Sequence, residues 1–194
     1  MIPPKVYQPL QKSLRLIKEG DICLFRGPHF VNCISQPALF ISYFTGSPYT
    51  HVGYITEFKQ PYMIEFKEFE GFKENPFVYA FREYNEVDIF RVKVGDYKPH
   101  KVIAELRKLS GHYYGWGSIY RLIKWHLFLW HRDPIIVESF VCSSAVAHAL
   151  QKGFMDPVPF KPVEYVTPAD LSRCALFEYV FTIRKDNDKG RVRQ

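Results

Sequence analysis

Several features this chain lacks narrow what it can be. None of its four cysteines (Cys23, Cys33, Cys142, Cys174) stands at Cys-x-x-Cys spacing from another, so neither a zinc finger nor a dithiol redox motif is written here. No apolar run reaches the roughly 20 residues that a membrane-crossing helix needs. The most apolar helical stretch, "GSIYRLIKWHLFLWHRD", is interrupted by Arg121, Lys124 and His126. The opening "MIPPKVYQPLQKSLRLIKEGD" has neither the apolar centre nor the small-residue cleavage site of a secretory signal. A cytoplasmic protein with free thiols is the resulting expectation, with carriage on a virion or release by lysis the alternative. The glycines of "YYGWGS" lack the lysine and the strand context of a phosphate-binding loop. No internal repeat and no low-complexity tract interrupts the sequence.

What is present points to one well-filled domain. A chain of 194 residues that is 47% hydrophobic can bury one substantial core, but is short for two full-sized domains. The expected domain therefore spans 1–194, with a core over about 17–183 and a basic, flexible tail over 184–194. Aromatics at 17%, mostly Phe and Tyr, suit strands and exclude a disordered chain. The formal charge of +6 owes much to the tail "RKDNDKGRVRQ", so no nucleic-acid partner is expected from charge alone.

Along the chain, "EGDICLFRG" predicts a first strand, and "QPALFISYFTGS", closed by Gly46, a short helix. The runs "THVGYITEF", "YMIEFKEFEGF", "FVYAFREY" and "VDIFRVKV", separated by "KQP" and "KENP", predict an antiparallel meander. The period then changes. Val102, Ile103, Leu106 and Leu109 fall at helical spacing before Gly111. "GSIYRLIKWHLFLW" and "CSSAVAHALQKG" continue as helices, the latter closed by Gly153, "TPADLSRC" is a capped short helix with Pro168 at its first position, and "FEYVFTIR" is a last strand. Strands first and helices second give an α+β class.

Two residues carry the chemical interest. Cys142 stands at the start of a predicted helix, where unpaired backbone amides favour a thiolate. A helix terminus supplies about 0.3–2 kcal/mol, or roughly one pKa unit, so an imidazolium partner has to do more. A free cysteine more often packs as a small hydrophobe, and Cys142 alone settles nothing. His51, in "SPYTHVGYI", is the candidate partner. On a regular strand Tyr49, His51 and Gly53 face one side and Thr50, Val52 and Tyr54 the other, with Gly53 leaving room beside the imidazole. Glu65, in the next strand, could lie across a hairpin and orient the ring, while Ile64 and Phe66 face away. The plainer alternative makes His51 a hydrogen-bonded strand residue and Glu65 a partner of Lys67.

The joint pattern resembles a family. "LIKEGDICLFRG" with "YTHVGYI" is similar to the strand and histidine elements of NlpC-like, papain-fold cysteine hydrolases, and "YYGWGS" and "VCSSAV" to that family's Tyr-x-Trp-Gly and Asp-Cys-Ser-Gly elements. The cysteine element here follows the histidine, which matches the circularly permuted, YiiX-like branch, with lecithin:retinol acyltransferase a more distant relative. "VTPADLSRCALFEYV" resembles the closing segment of that branch, so the likeness covers roughly residues 17–181. It implies a permuted papain-like fold, an antiparallel sheet or partial barrel packed against a helix bundle. It also implies roles: Cys142 as nucleophile, His51 as general base and acid, Glu65 as the group that fixes the ring, Tyr114 as a hydrogen-bonding group near the thiolate or the oxyanion, and the Cys142 amide as the other oxyanion donor. Val141 replaces the family's Asp, Ser144 its Gly, and Gly115 stands where an Asp is common.

The implied activity is that of a thiol hydrolase, a peptidase, amidase or acyl-lipid hydrolase, working through an acyl-enzyme without metal or organic cofactor. Peptide or peptidoglycan-like amides and acyl esters or thioesters compete as substrates, and the apolar neighbours of Cys142 tilt slightly toward lipid-like acyl groups. An acyltransferase or a non-catalytic lipid-binding module of the same fold is the alternative. In "YRLIKWHLFLWHR", Ile119, Leu122, Ile123 and Leu127 form a core-facing stripe at helical spacing, while a lipid-facing lid or a peripheral membrane contact stays open. His112, His126, His131 and His148 are not spaced to share a metal. Asp170 complements an early-helix dipole.

Overall fold

A computed structural model describes residues 7–27, 45–57, 60–67, 70–84, 86–112 and 141–184. These form an α+β structure around one seven-stranded sheet. The strands are β1 (Tyr7–Pro9), β2 (Ile22–Arg26), β3 (Tyr49–Ile55), β4 (Tyr62–Lys67), β5 (Gly71–Pro76), β6 (Glu86–Val92) and β7 (Phe177–Arg184). Their order across the sheet is β1-β7-β6-β2-β3-β4-β5. Every pair is antiparallel except β1 with β7. The helices are α1 (Leu10–Ser13), α2 (Pro99–Lys108), α3 (Cys142–Gly153) and α4 (Pro168–Ser172).

Alternation builds the two faces. Ile22 and Leu24 of β2, Val52 and Tyr54 of β3, and Ile64 and Phe66 of β4 bury against α2, α3 and α4 through Val102, Leu106, Ala145, Ala149 and Leu171. Cys23, Phe25, Met63, Val87, Ile89, Phe181 and Ile183 form a second cluster with Ile17, Phe77 and Ala80. A period of two places successive strand residues on opposite faces, and helical spacing of i, i+3, i+4 turns one stripe of α2 inward.

The structure differs from the sequence reading at several places. "FVYAFREY" contains a 3-10 helix, Phe77–Arg82, rather than a strand. The polar segment Gly71–Pro76, whose "KENP" read as a turn, is the strand β5 at one end of the sheet order; a strand with one neighbour tolerates Pro and exposed polar groups that an interior strand would not. β1 lies before the expected core start at residue 17, and Arg184 closes β7 opposite Glu86 instead of opening a tail. Gly153 ends α3, but its role is proximity: a Cβ there would lie 2.9 Å from the Val102 backbone nitrogen. Gly111, at φ +88°, follows α2 as expected. The helices predicted around 37–44 and over "GSIYRLIKWHLFLW", together with Cys33, Tyr114 and the tail from 185, lie outside the described residues.

Candidate active site

His51 is carried by β3 between β2 and β4. The ladder to β2 contains an irregularity: Phe25 pairs with His51 but Arg26 pairs with Tyr49, so Thr50 is an inserted residue in β3. Such a bulge redirects the side chains beside it. Tyr49 consequently packs with Val52 and Tyr54, not with His51, which corrects the simple alternation over 49–54. The His51 ring lies instead against Phe25, with centroids 5.7 Å apart, and stacks on Tyr84 at 5.6 Å and an interplanar angle of 7°.

The space expected beside Gly53 is filled. A Cβ at that position would meet Met63 Sδ at 2.1 Å, so the glycine admits a neighbouring side chain rather than a substrate.

Glu65 pairs in register with Gly53 and reaches diagonally to the imidazole. His51 Nε2 donates to Glu65 Oε2 at 2.9 Å, with both side chains buried. The alternative partner is also present: Lys67 Nζ stands 3.6 Å from the other carboxylate oxygen and 2.6 Å from Glu83. Glu65 is thus held from both sides. Burial pushes its carboxyl up, but the hydrogen bond and charge of His51, aided by Lys67, outweigh burial and leave it below the usual carboxylate range.

Cys142 is the first residue of α3, which packs on β3 and β4. Val141, the residue before the helix, has no side-chain acceptor to offer its amides. Ser144 substitutes from within the first turn: its hydroxyl accepts the Val141 N–H at 3.0 Å and donates to the Val141 carbonyl at 3.1 Å. Ser143 Oγ donates to the Val166 carbonyl at 2.7 Å and ties the helix start to the loop before α4. Ser143 and Ser144 therefore fix the helix start although Val141 has no capping side chain.

The sulfur and the imidazole interact. Burial pulls the His51 pKa down, yet the charge of Cys142, a side-chain hydrogen bond with it, and the bond and charge of Glu65 together push it up to about 10. Since Nε2 is engaged by Glu65, Nδ1 is the ring nitrogen left for the sulfur. The ring thereby favours its protonated form, with the Glu65 carboxylate on one side. Burial instead pushes the Cys23 thiol well up, and the Cys174 thiol up.

Three of the four expected site residues, Cys142, His51 and Glu65, are thus brought together, and Tyr114 lies outside the described residues. Sequence reasoning missed Tyr84, which sits in a run read as a strand and carries no motif, and the insertion at Thr50, which only strand pairing reveals. His148, on the same helix, interacts with Lys152, Glu105 and Glu164, away from the triad. Among the described residues no group of three His, Cys, Asp or Glu side chains could hold a metal, and no helix is long and apolar enough to cross a membrane. Asp170 caps α4, accepting from the Thr167 amide and hydroxyl and pairing with Lys161 at 2.6 Å. Compared with known proteins, the chain matches no family model and no curated sequence.

Proposed function

We propose that this chain is a cysteine hydrolase that cleaves an acyl bond through a covalent thioester on Cys142, on a permuted papain-like fold. The observation that carries the reading is the grouping itself: a cysteine at a helix start, a buried histidine whose proton affinity that cysteine helps raise, and a buried carboxylate bonded to one ring nitrogen. One such contact is ordinary in a protein core, but the three in series are what nucleophile activation requires.

With the proton on the ring, the sulfur attacks the substrate carbonyl and the carbonyl π electrons move onto oxygen. The amides of the first turn of α3, which have no intrahelical acceptor, stabilise that oxyanion. As the tetrahedral species collapses, His51 gives its proton to the departing nitrogen or oxygen, leaving an acyl thioester on Cys142. The neutral imidazole then takes a proton from water; the hydroxide adds to the thioester carbonyl, the C–S bond breaks, and an acid is released with the ion pair restored. Glu65 holds the ring in register throughout and stabilises its charge. Cytoplasmic or released, the protein would need no cofactor for these steps.

A panel of peptide, ester and thioester electrophiles, with mass mapping of the modified residue, tests this reading. Cys142 should be modified in preference to Cys23, Cys33 and Cys174, and Cys142→Ala should abolish turnover while keeping the wild-type circular dichroism. Uniform modification of all four thiols in the folded protein would refute it.

A further inference from the structure

Tyr84 lies along the reacting histidine without belonging to any motif. Its ring and the His51 imidazole are 5.6 Å apart between centroids and within 7° of parallel, which at that separation is an offset stack. The phenol ring is itself held. It leans on Phe25 at 4.7 Å, and its backbone N–H donates to the Ala80 carbonyl at 2.9 Å, at the end of the 3-10 helix Phe77–Arg82. The preceding residue reaches the same pair by another route: Glu83 bonds Lys67 at 2.6 Å, and Lys67 stands 3.6 Å from Glu65. Two successive residues thus address His51 and Glu65, one through a ring and the other through a charge.

Geometry separates the two kinds of contact. The titratable groups that face His51 are Glu65 of β4, with Lys67 behind it and Glu83 beyond, and Cys142 of α3. A hydrogen bond to a ring nitrogen lies in the ring plane, so Glu65 meets an edge, whereas Tyr84 meets a face. Nε2 also lies close to the axis about which an imidazole turns, so a bond there fixes the ring plane poorly. A stacked neighbour fixes it well. Stacking is not indifferent to the proton either. An aromatic face carries negative charge density and attracts a cation within about 6 Å of its centroid, and a neutral ring much less.

We propose that Tyr84 is a positioning residue: its π face fixes the plane of the His51 ring and favours the protonated ring over the neutral one. This rests on the reading of Cys142 and His51 as nucleophile and base. Glu65 then supplies the in-plane anchor and Tyr84 the out-of-plane one.

Titration of the His51 ring by NMR in the full chain tests this, its resonances being assigned by their loss in His51→Asn. Wild type is compared with Tyr84→Phe, Tyr84→Leu and chains carrying progressively fluorinated phenylalanines at position 84. Tyr84→Phe keeps the face and should leave the His51 pKa in place, whereas Tyr84→Leu should lower it by about one unit. Fluorination drains charge from the face with little change of shape, so the pKa should fall stepwise along that series, which packing alone would not produce. A level fluorinated series, an unchanged pKa in Tyr84→Leu, or an equal fall in Tyr84→Phe and Tyr84→Leu would overturn the Tyr84 proposal alone. The fluorinated chains keep the ring, so their series decides the matter even where Tyr84→Leu does not fold. Separately, His51→Asn should slow alkylation of Cys142 by iodoacetamide about tenfold or more, and an unchanged rate would overturn the underlying enzyme reading instead.

Discussion

At the scale of residues, Glu65 decides how long His51 keeps its proton. The folded-state pKa of His51 is raised from 6.5 to about 10 and that of Glu65 is lowered from 4.5. A raised histidine contributes stability that is full below 6.5 and is lost as pH climbs through about 10; a lowered carboxyl contributes stability that is present above 4.5 and is lost on acidification. Their joint contribution is therefore greatest between those ordinary values. Glu65→Gln should lower the melting temperature most at pH 4.5–6.5 and progressively less toward pH 10. The same substitution should cut kcat/KM by roughly 10²-fold or more, and move the alkaline limb of the pH–rate profile to lower pH, since one cause of the raised imidazole pKa is gone. A limb that stays in place would mean that Glu65 does not act on the ring. Cys142, His51 and Glu65 could be singled out at this scale because residue types and their neighbours in the sequence point to them. The sides of Tyr49 and Thr50, and the filling of the Gly53 gap by Met63, were not, because they follow from pairing to β2 and β4.

At the scale of elements, hydrophobic periodicity located β2, β3, β4, β6, β7 and helices α2, α3 and α4, all of which bury a regular face. It failed where one face is absent or the run is uniformly apolar. β5 has no apolar alternation to read, and "FVYAFREY" carries apolar residues that fit a strand or a tight helix equally well. Gly153 illustrates a second limit. Helix propensity alone says that Gly153→Ala should stabilise α3 by up to about 1 kcal/mol. The methyl group would sit 2.9–3.0 Å from backbone atoms of Lys101 and Val102, which cannot rotate away. Overpacking of this kind costs about 1–3 kcal/mol, so the net effect should be destabilising. Urea denaturation measures it directly, and a gain in stability would show that α2 yields easily.

At the scale of the whole molecule, the surroundings of each thiol belong to the fold. Cys142 comes from α3, His51 and Glu65 from two neighbouring strands, and the Cys23 and Cys174 thiols are suppressed by burial. Competitive iodoacetamide labelling should therefore favour Cys142 in native buffer and become equal among the cysteines in denaturing urea, where helix start, imidazolium and burial all vanish. A preference that survives unfolding would trace to local sequence and not to the assembled site.

The order of apolar and polar residues determined by itself an α+β class, most of the strands and helices, and the identity of a cysteine, a histidine and a carboxylate able to act together, because period and side-chain chemistry are local properties. Only the tertiary structure decided that α3 delivers its first residue to the imidazole, that β4 aims Glu65 at the other ring nitrogen, and that Thr50 is an inserted residue in β3 next to His51. Those outcomes depend on strand register and helix docking, which are set by contacts between segments far apart along the chain.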